Sequence, residues 1–173
     1  MHTMTTESSL DVAYWFINRA EQDCLYLENE KLQYLLFFSQ HKYAQIEKNK
    51  MLMPCVFVCN EHGFFEPTIK KVFAQGRPFM QVPKFNKDIS YFLEDIWNEF
   101  SSLSVLECKK IATNLPIYIE HYKKGQHTIV NFDAIGKSDS ITIKPNITPR
   151  GKILLSQNGP VIVSKWSPRK INM

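Results

Sequence analysis

The sequence predicts a mainly α protein: a compact helical bundle over residues 8–124, interrupted by a short extended segment, then a small β or extended region over residues 125–173. Three observations carry this. Apolar residues recur at steps of three and four through several segments that lack Gly and Pro. The segment "EKLQYLLFFSQHKYA" is apolar on most of a helical circumference, which suits the centre of a bundle. After Gly125 the pattern changes to short β-branched runs split by Gly, Pro, Asn and Ser.

Taken in order, Ser8 or Ser9 caps a first helix that runs to about Asp23, with Leu10, Ala13, Tyr14 and Ile17 at helical spacing. Val12, Trp15 and Phe16 widen its apolar face. A second helix spans about Glu28 to Lys48, with Leu32, Leu35, Leu36, Ser39 and Tyr43 on one side and Tyr34, Phe37 and Phe38 beyond it. "MLMPCVFVCN" breaks the helical pattern: Pro54 blocks a helix interior, and Val56, Phe57 and Val58 favour an extended chain. Asn60 to Gly63 reads as a turn, and Pro67 opens a short helix, "PTIKKVFAQG", that Gly76 closes.

"RPFMQVPKFN" reads as a loop with two prolines. The next helix repeats without a miss through Ile89, Phe92, Leu93, Ile96, Trp97, Phe100 and Leu103. "SVLE" is a capping box, Ser104 covering open amides while Glu107 reaches back. That helix ends near Asn114, ahead of Pro116, and "IYIEHYKKG" adds a short one. "HTIVNF", "SITIKP", "KILLS" and "PVIVSKW" then read as strands or extended runs.

Charge is uneven. Residues 126–173 hold seven Lys and Arg against two Asp, whereas the rest holds 14 basic and 15 acidic residues, so a nearly neutral body carries a basic C-terminal segment. Lys144, Arg150, Lys152, Lys165, Arg169 and Lys170 are its candidates for phosphate or partner contacts, with Trp166 and His127 able to stack on bases. Such lysines also guard exposed strands against unwanted pairing. Nucleic acid is therefore a partner class reached only through this segment.

Little here points to chemistry. Cys24, Cys55, Cys59 and Cys108 form no disulfide framework and read as reduced thiols. Cys55, Cys59 and His62 have a tolerable metal spacing, with His41 or Cys24 as a distant fourth ligand, but lack the paired knuckles of a structural zinc site. On a strand Cys55, Phe57 and Cys59 share one face, which fits buried thiols. His2, His41, His62, His121 and His127 belong to no motif, and Glu28, Glu30, Glu94, Asp95 and Glu99 read as solvated helix faces. No phosphate-cradling glycine motif occurs. The expectation is a protein without catalytic residues, cofactor or metal. The start "MHTMTTESSLD" has no secretory pattern and no apolar run spans a bilayer, so the expected location is the cytoplasm, without membrane contact.

One stretch carries a family likeness. "KLQYLLFFSQ", Lys31 to Gln40, resembles the "KLQKLLYFAQ" signature of the Panacea antitoxin domain, the SocA-like family often found beside phage or toxin genes. The helix "LDVAYWFINRA" precedes it, and a turn with Gly63 and a Pro-started helix follow. "DISYFLEDIWNEFSSLSVLECKKIATNLPIY" resembles the family's next section, so the likeness covers roughly residues 9–124. Tyr34 stands where the signature has Lys, Phe64 and Phe65 where the turn has Pro and Val, and Thr113 and Asn114 where members often place a His.

The resemblance implies binding: a bacterial module that neutralises a toxin or effector encoded by an adjacent gene, or an adaptor that delivers it to a protease. The expected contact zone is the turn, with Asn60, Gly63, Phe64, Phe65 and Pro67. The two phenylalanines either anchor a partner or staple the turn to the core. Two other readings stay open, a secreted bacterial effector using the same surface on a host protein and a nucleic-acid-binding regulator using the basic segment.

Overall fold

In the computed structural model, which describes residues 3–48, 50–137, 141, 152–156 and 159–163, the first helix starts where a side chain can satisfy it. The Ser8 hydroxyl accepts the Leu10 amide at 3.1 Å, and α1 runs Ser9–Gln22. Ahead of it a short strand, β1 (Thr3–Met4), pairs in parallel with β2 (Lys50–Met51), and the Thr6 amide continues the ladder to the Leu52 carbonyl at 2.8 Å.

Helix α2 (Asn29–Ile46) lies between, and it is the centre of the helical unit. Residues 34–41 are buried without a break, together with Leu32, Tyr43 and Ala44. A helix buried on every side needs neighbours on every side, and α2 has them in α1, β2, β4 (Gly63–Phe65), α3 (Pro67–Phe73), α4 (Lys87–Phe100), α5 (Val105–Asn114) and α7 (Phe132–Lys137). Burying each Leu or Phe of this helix contributes about 1.5–3 kcal/mol. Trp97, Phe100, Phe16 and Phe57 complete the layer around it.

The extended segment is a hairpin. Strand β3 (Phe57–Asn60) pairs antiparallel with β4, with Cys59 opposite Phe64 and Asn60 opposite Gly63, so Glu61 and His62 form the turn. The expected turn is present, but Phe64 and Phe65, read from the sequence as turn residues, are strand. On the other side of β3 lies β5 (Thr128–Val130), which makes the sheet order β4–β3–β5.

Glu66 ends the hairpin and caps α3 by accepting the Ile69 amide at 2.6 Å. Asn86 caps α4 through the Ile89 amide at 2.9 Å, and Ile89, Leu93, Ile96, Trp97 and Phe100 form its buried stripe. Ser104 and Glu107 close the expected box at the start of α5, and α6 (Pro116–Lys123) follows at once. The fold is thus mainly α with a small three-stranded sheet.

One departure lies after Gly125. In "HTIVNF" only residues 128–130 are strand; Phe132 begins a helix, since Asn131 takes the Asp133 amide on its side chain and turns the chain. The chain divides into a unit Met1–Thr142, which includes the strand at 128–130 and α7, and a unit Ile143–Met173. The second unit contains the antiparallel hairpin of β6 (Lys152–Ser156) and β7 (Gly159–Val163). "SITIKP" falls outside the described residues except for the buried Ile141.

Candidate partner groove

Tyr34 projects from α2 to the hairpin turn, where its hydroxyl donates to the His62 carbonyl at 2.6 Å. Gly63 makes that approach possible. Its φ is +120°, and a Cβ there would stand 3.1 Å from the Tyr34 ring. The Asn60 side chain fixes the turn from within, accepting the His62 amide at 2.9 Å, while the Asn60 carbonyl accepts the Tyr118 hydroxyl at 2.9 Å.

Strand alternation then separates the two phenylalanines. Phe64 turns inward and is 2% exposed, stacked on Phe37 with centroids 3.8 Å apart and edge-on to Tyr118. Phe65 turns outward and is half-buried, with the Lys70 ammonium 4.5 Å from its ring centre. Phe64 is thus the staple and Phe65 the surface residue.

Between the first turns of α2, the hairpin and α3 lies a cavity of about 380 Å³. Asn29, Glu30, Leu32, Gln33 and Tyr34 supply one wall, Asn60, His62, Phe64 and Phe65 the floor, and Ile69, Lys70, Phe73 and Ala74 the other wall. Two hydrogen bonds tie the walls: the Gln33 side chain accepts the Glu66 amide at 2.7 Å, and Asn29 donates to the Phe73 carbonyl at 3.3 Å. Of the expected contact residues, Asn60, Phe64 and Phe65 line the groove. Gly63 is buried behind Tyr34, and Pro67 is exposed at the start of α3. Glu30, Gln33, Lys70 and Phe73 were not singled out for it; their i, i+3 spacing within "NEKLQY" and "TIKKVF", on both flanks of the turn, is the signal that points to them.

The titratable groups are set by burial. Tyr34 is pushed above its ordinary value, first by burial and then by the Glu30 carboxylate, whose oxygen lies 3.4 Å from the hydroxyl. Cys59 and Cys108 are both pushed up to about 11 by burial, and Cys55 upward too, by burial and then Glu66. An activated thiol needs the opposite shift. Cys59 is buried, whereas the exposed His62 ring contacts Lys109 at 3.1 Å and Glu61 at 3.2 Å. Among the described residues no three His, Cys, Asp or Glu gather as a metal site.

Of the basic candidates, Lys152 opens β6 opposite Val163, and Lys144, Arg150, Lys165, Arg169 and Lys170, with Trp166, lie outside the described residues. Among the described residues no helix is long and apolar enough to cross a membrane. No family model, curated protein or solved structure matches the chain.

Proposed function

We propose that the chain is a protein-binding module of the antitoxin or adaptor kind, which acts by covering the working surface of a toxin or effector. The observation that carries this reading is the groove itself: preformed, aromatic at its floor, rimmed by Glu30, His62 and Lys70, and built on the turn where Phe64 and Phe65 stand in place of the Pro and Val of the Panacea-like pattern. A preformed pocket with a few polar groups takes an anchoring side chain without the cost of ordering the receptor. Stable protein contacts bury roughly 1,200–2,000 Å², so the groove serves as the anchor of a wider interface that excludes the partner's substrate.

The test is co-expression with the product of the adjacent gene. A neighbour that arrests growth alone, is tolerated beside this chain, and is no longer tolerated beside Phe65→Ser supports the reading. A neighbour that is harmless and does not co-purify overturns it. The charge of residues 126–173 favours a second reading, contact with phosphates, and a steep loss of binding as salt rises distinguishes it.

A further inference from the structure

The wall that α3 gives to the groove runs on into the connection 74–86, which contains no helix or strand. Connections of that length are uncommon and are usually either functional or disordered linkers. This one is tied down at its base. The Arg77 guanidinium donates to the Leu27 carbonyl, lies 4.4 Å from the Tyr26 ring centre and faces Glu21 at 3.8 Å, while the Tyr14 hydroxyl donates to the Pro78 carbonyl. Yet its apolar tip stays in water. Phe79 is 98% exposed and Val82 47%, and the adjoining Tyr26 is 75% exposed. A fixed base under exposed aromatic side chains, with an arginine stacked among them, is the composition of a binding hot spot.

The charge along α3 and the loop is basic, between the buried Glu66 ahead of it and the exposed Asp88 after it. Residues 67–87 contain Lys70, Lys71, Arg77, Lys84 and Lys87 and no Asp or Glu. Arg77 has Glu21; among the described residues the four lysines have no ion-pair partner. The facing wall, by contrast, carries Glu30, with Glu28 two residues ahead of it at the start of α2. We propose that the groove and this loop form one docking surface for an acidic, apolar segment of a protein partner. Its aromatic or aliphatic side chains enter the groove and cover Phe79, and its carboxylates lie along the lysines of α3 and the loop. Glu28 and Glu30 set the direction by repelling acid on their side. The same two carboxylates work against a phosphate backbone or an anionic bilayer, whose charge is continuous, whereas a peptide places its acids on one edge. The inference rests on the protein-binding reading and adds the partner's chemistry to it.

The probe is a random twelve-residue peptide library displayed on phage and panned against the full chain, with enriched peptides resynthesised and titrated by fluorescence anisotropy. Enriched sequences are expected to place Asp or Glu beside aromatic or aliphatic residues. Phe79→Ala and Lys70→Glu should each weaken them tenfold or more, while Lys48→Glu, just past the far end of α2, changes binding less than twofold. Phe79 is too exposed for its removal to unfold the chain, and unchanged thermal melts confirm that for each variant. No enrichment, enrichment of basic peptides, or binding indifferent to Phe79→Ala and Lys70→Glu overturns the proposal. So does Phe79-dependent binding of labelled oligothymidylate or of phosphatidylserine vesicles in place of peptide. Basic peptides lost on Phe65→Ser would sink the acidic partner alone and leave the protein-binding reading standing.

Discussion

The Tyr34 hydroxyl donates a hydrogen bond to the main-chain carbonyl of His62, at 2.6 Å, so the central helix holds the tip of the hairpin directly. That bond ties one wall of the groove to its floor. Tyr34→Phe keeps the ring against Gly63 but leaves the His62 carbonyl without its donor. The expected loss is about 1–2 kcal/mol in urea unfolding, since a half-buried carbonyl loses its partner and only part of its hydration is restored. Amide exchange at His62 and Gly63 should quicken, while amides in the middle of α4 keep their protection.

Gly63→Ala attacks the same contact from the other side. The backbone there has φ +120°, which L side chains avoid, and the added methyl carbon would meet the Tyr34 ring at 3.1 Å. Strain and crowding act together, so the variant should lose about 1–3 kcal/mol, more than an exposed glycine in a turn would. A chemical-denaturation midpoint within error of the parent chain would show that the turn relaxes freely and that the ring is not its constraint.

Phe64 and Phe65 should separate stability from binding. Phe64→Ala empties a ring position stacked at 3.8 Å on Phe37, and core truncations of that kind cost about 3–5 kcal/mol. Phe65→Ala removes a half-exposed ring under Lys70 and should cost about 1 kcal/mol or less, near the ordinary value for a surface position. Binding of any groove ligand should follow Phe65 in a variant that melts like the parent. Equal destabilisation by both would mean that Phe65 is a second core residue and that the groove lacks an anchor.

These residues also show where sequence pattern is enough and where it is not. Helix α4 was legible because Ile89, Leu93, Ile96, Trp97 and Phe100 repeat over about three turns, and the cap of α5 because Ser104 and Glu107 stand three apart. Strand β4 was not, because Gly63–Phe65 is too short to display alternation, so two neighbouring phenylalanines with opposite fates looked alike. Helix α7 was hidden by its length and by Gly136 within it. The groove draws on segments around 30, 62 and 70, and no local period reports which faces of three elements meet. Exposure of Phe79 runs against the usual burial of large apolar residues and becomes visible only once the loop is placed.

His41 makes the core sensitive to acid. It is fully buried on α2 beside Phe37, and burial, with Lys42 adding repulsion, lowers its pKa from 6.5 to about 4. The folded pKa lies below the unfolded one, so between those values the unfolded chain binds the extra proton. Stability is therefore undiminished above pH 6.5, falls as the pH drops from 6.5 towards 4, and levels off below that, a contribution of about 3 kcal/mol over the window. Urea midpoints at pH 7.5, 5.5 and 4.5 measure the slope, and His41→Gln, which cannot take the proton, should flatten it whatever its own cost at neutral pH. A slope unchanged by that substitution would transfer the acid sensitivity to carboxylates such as Asp23, which the Arg19 guanidinium and the Trp97 indole hold below its ordinary value.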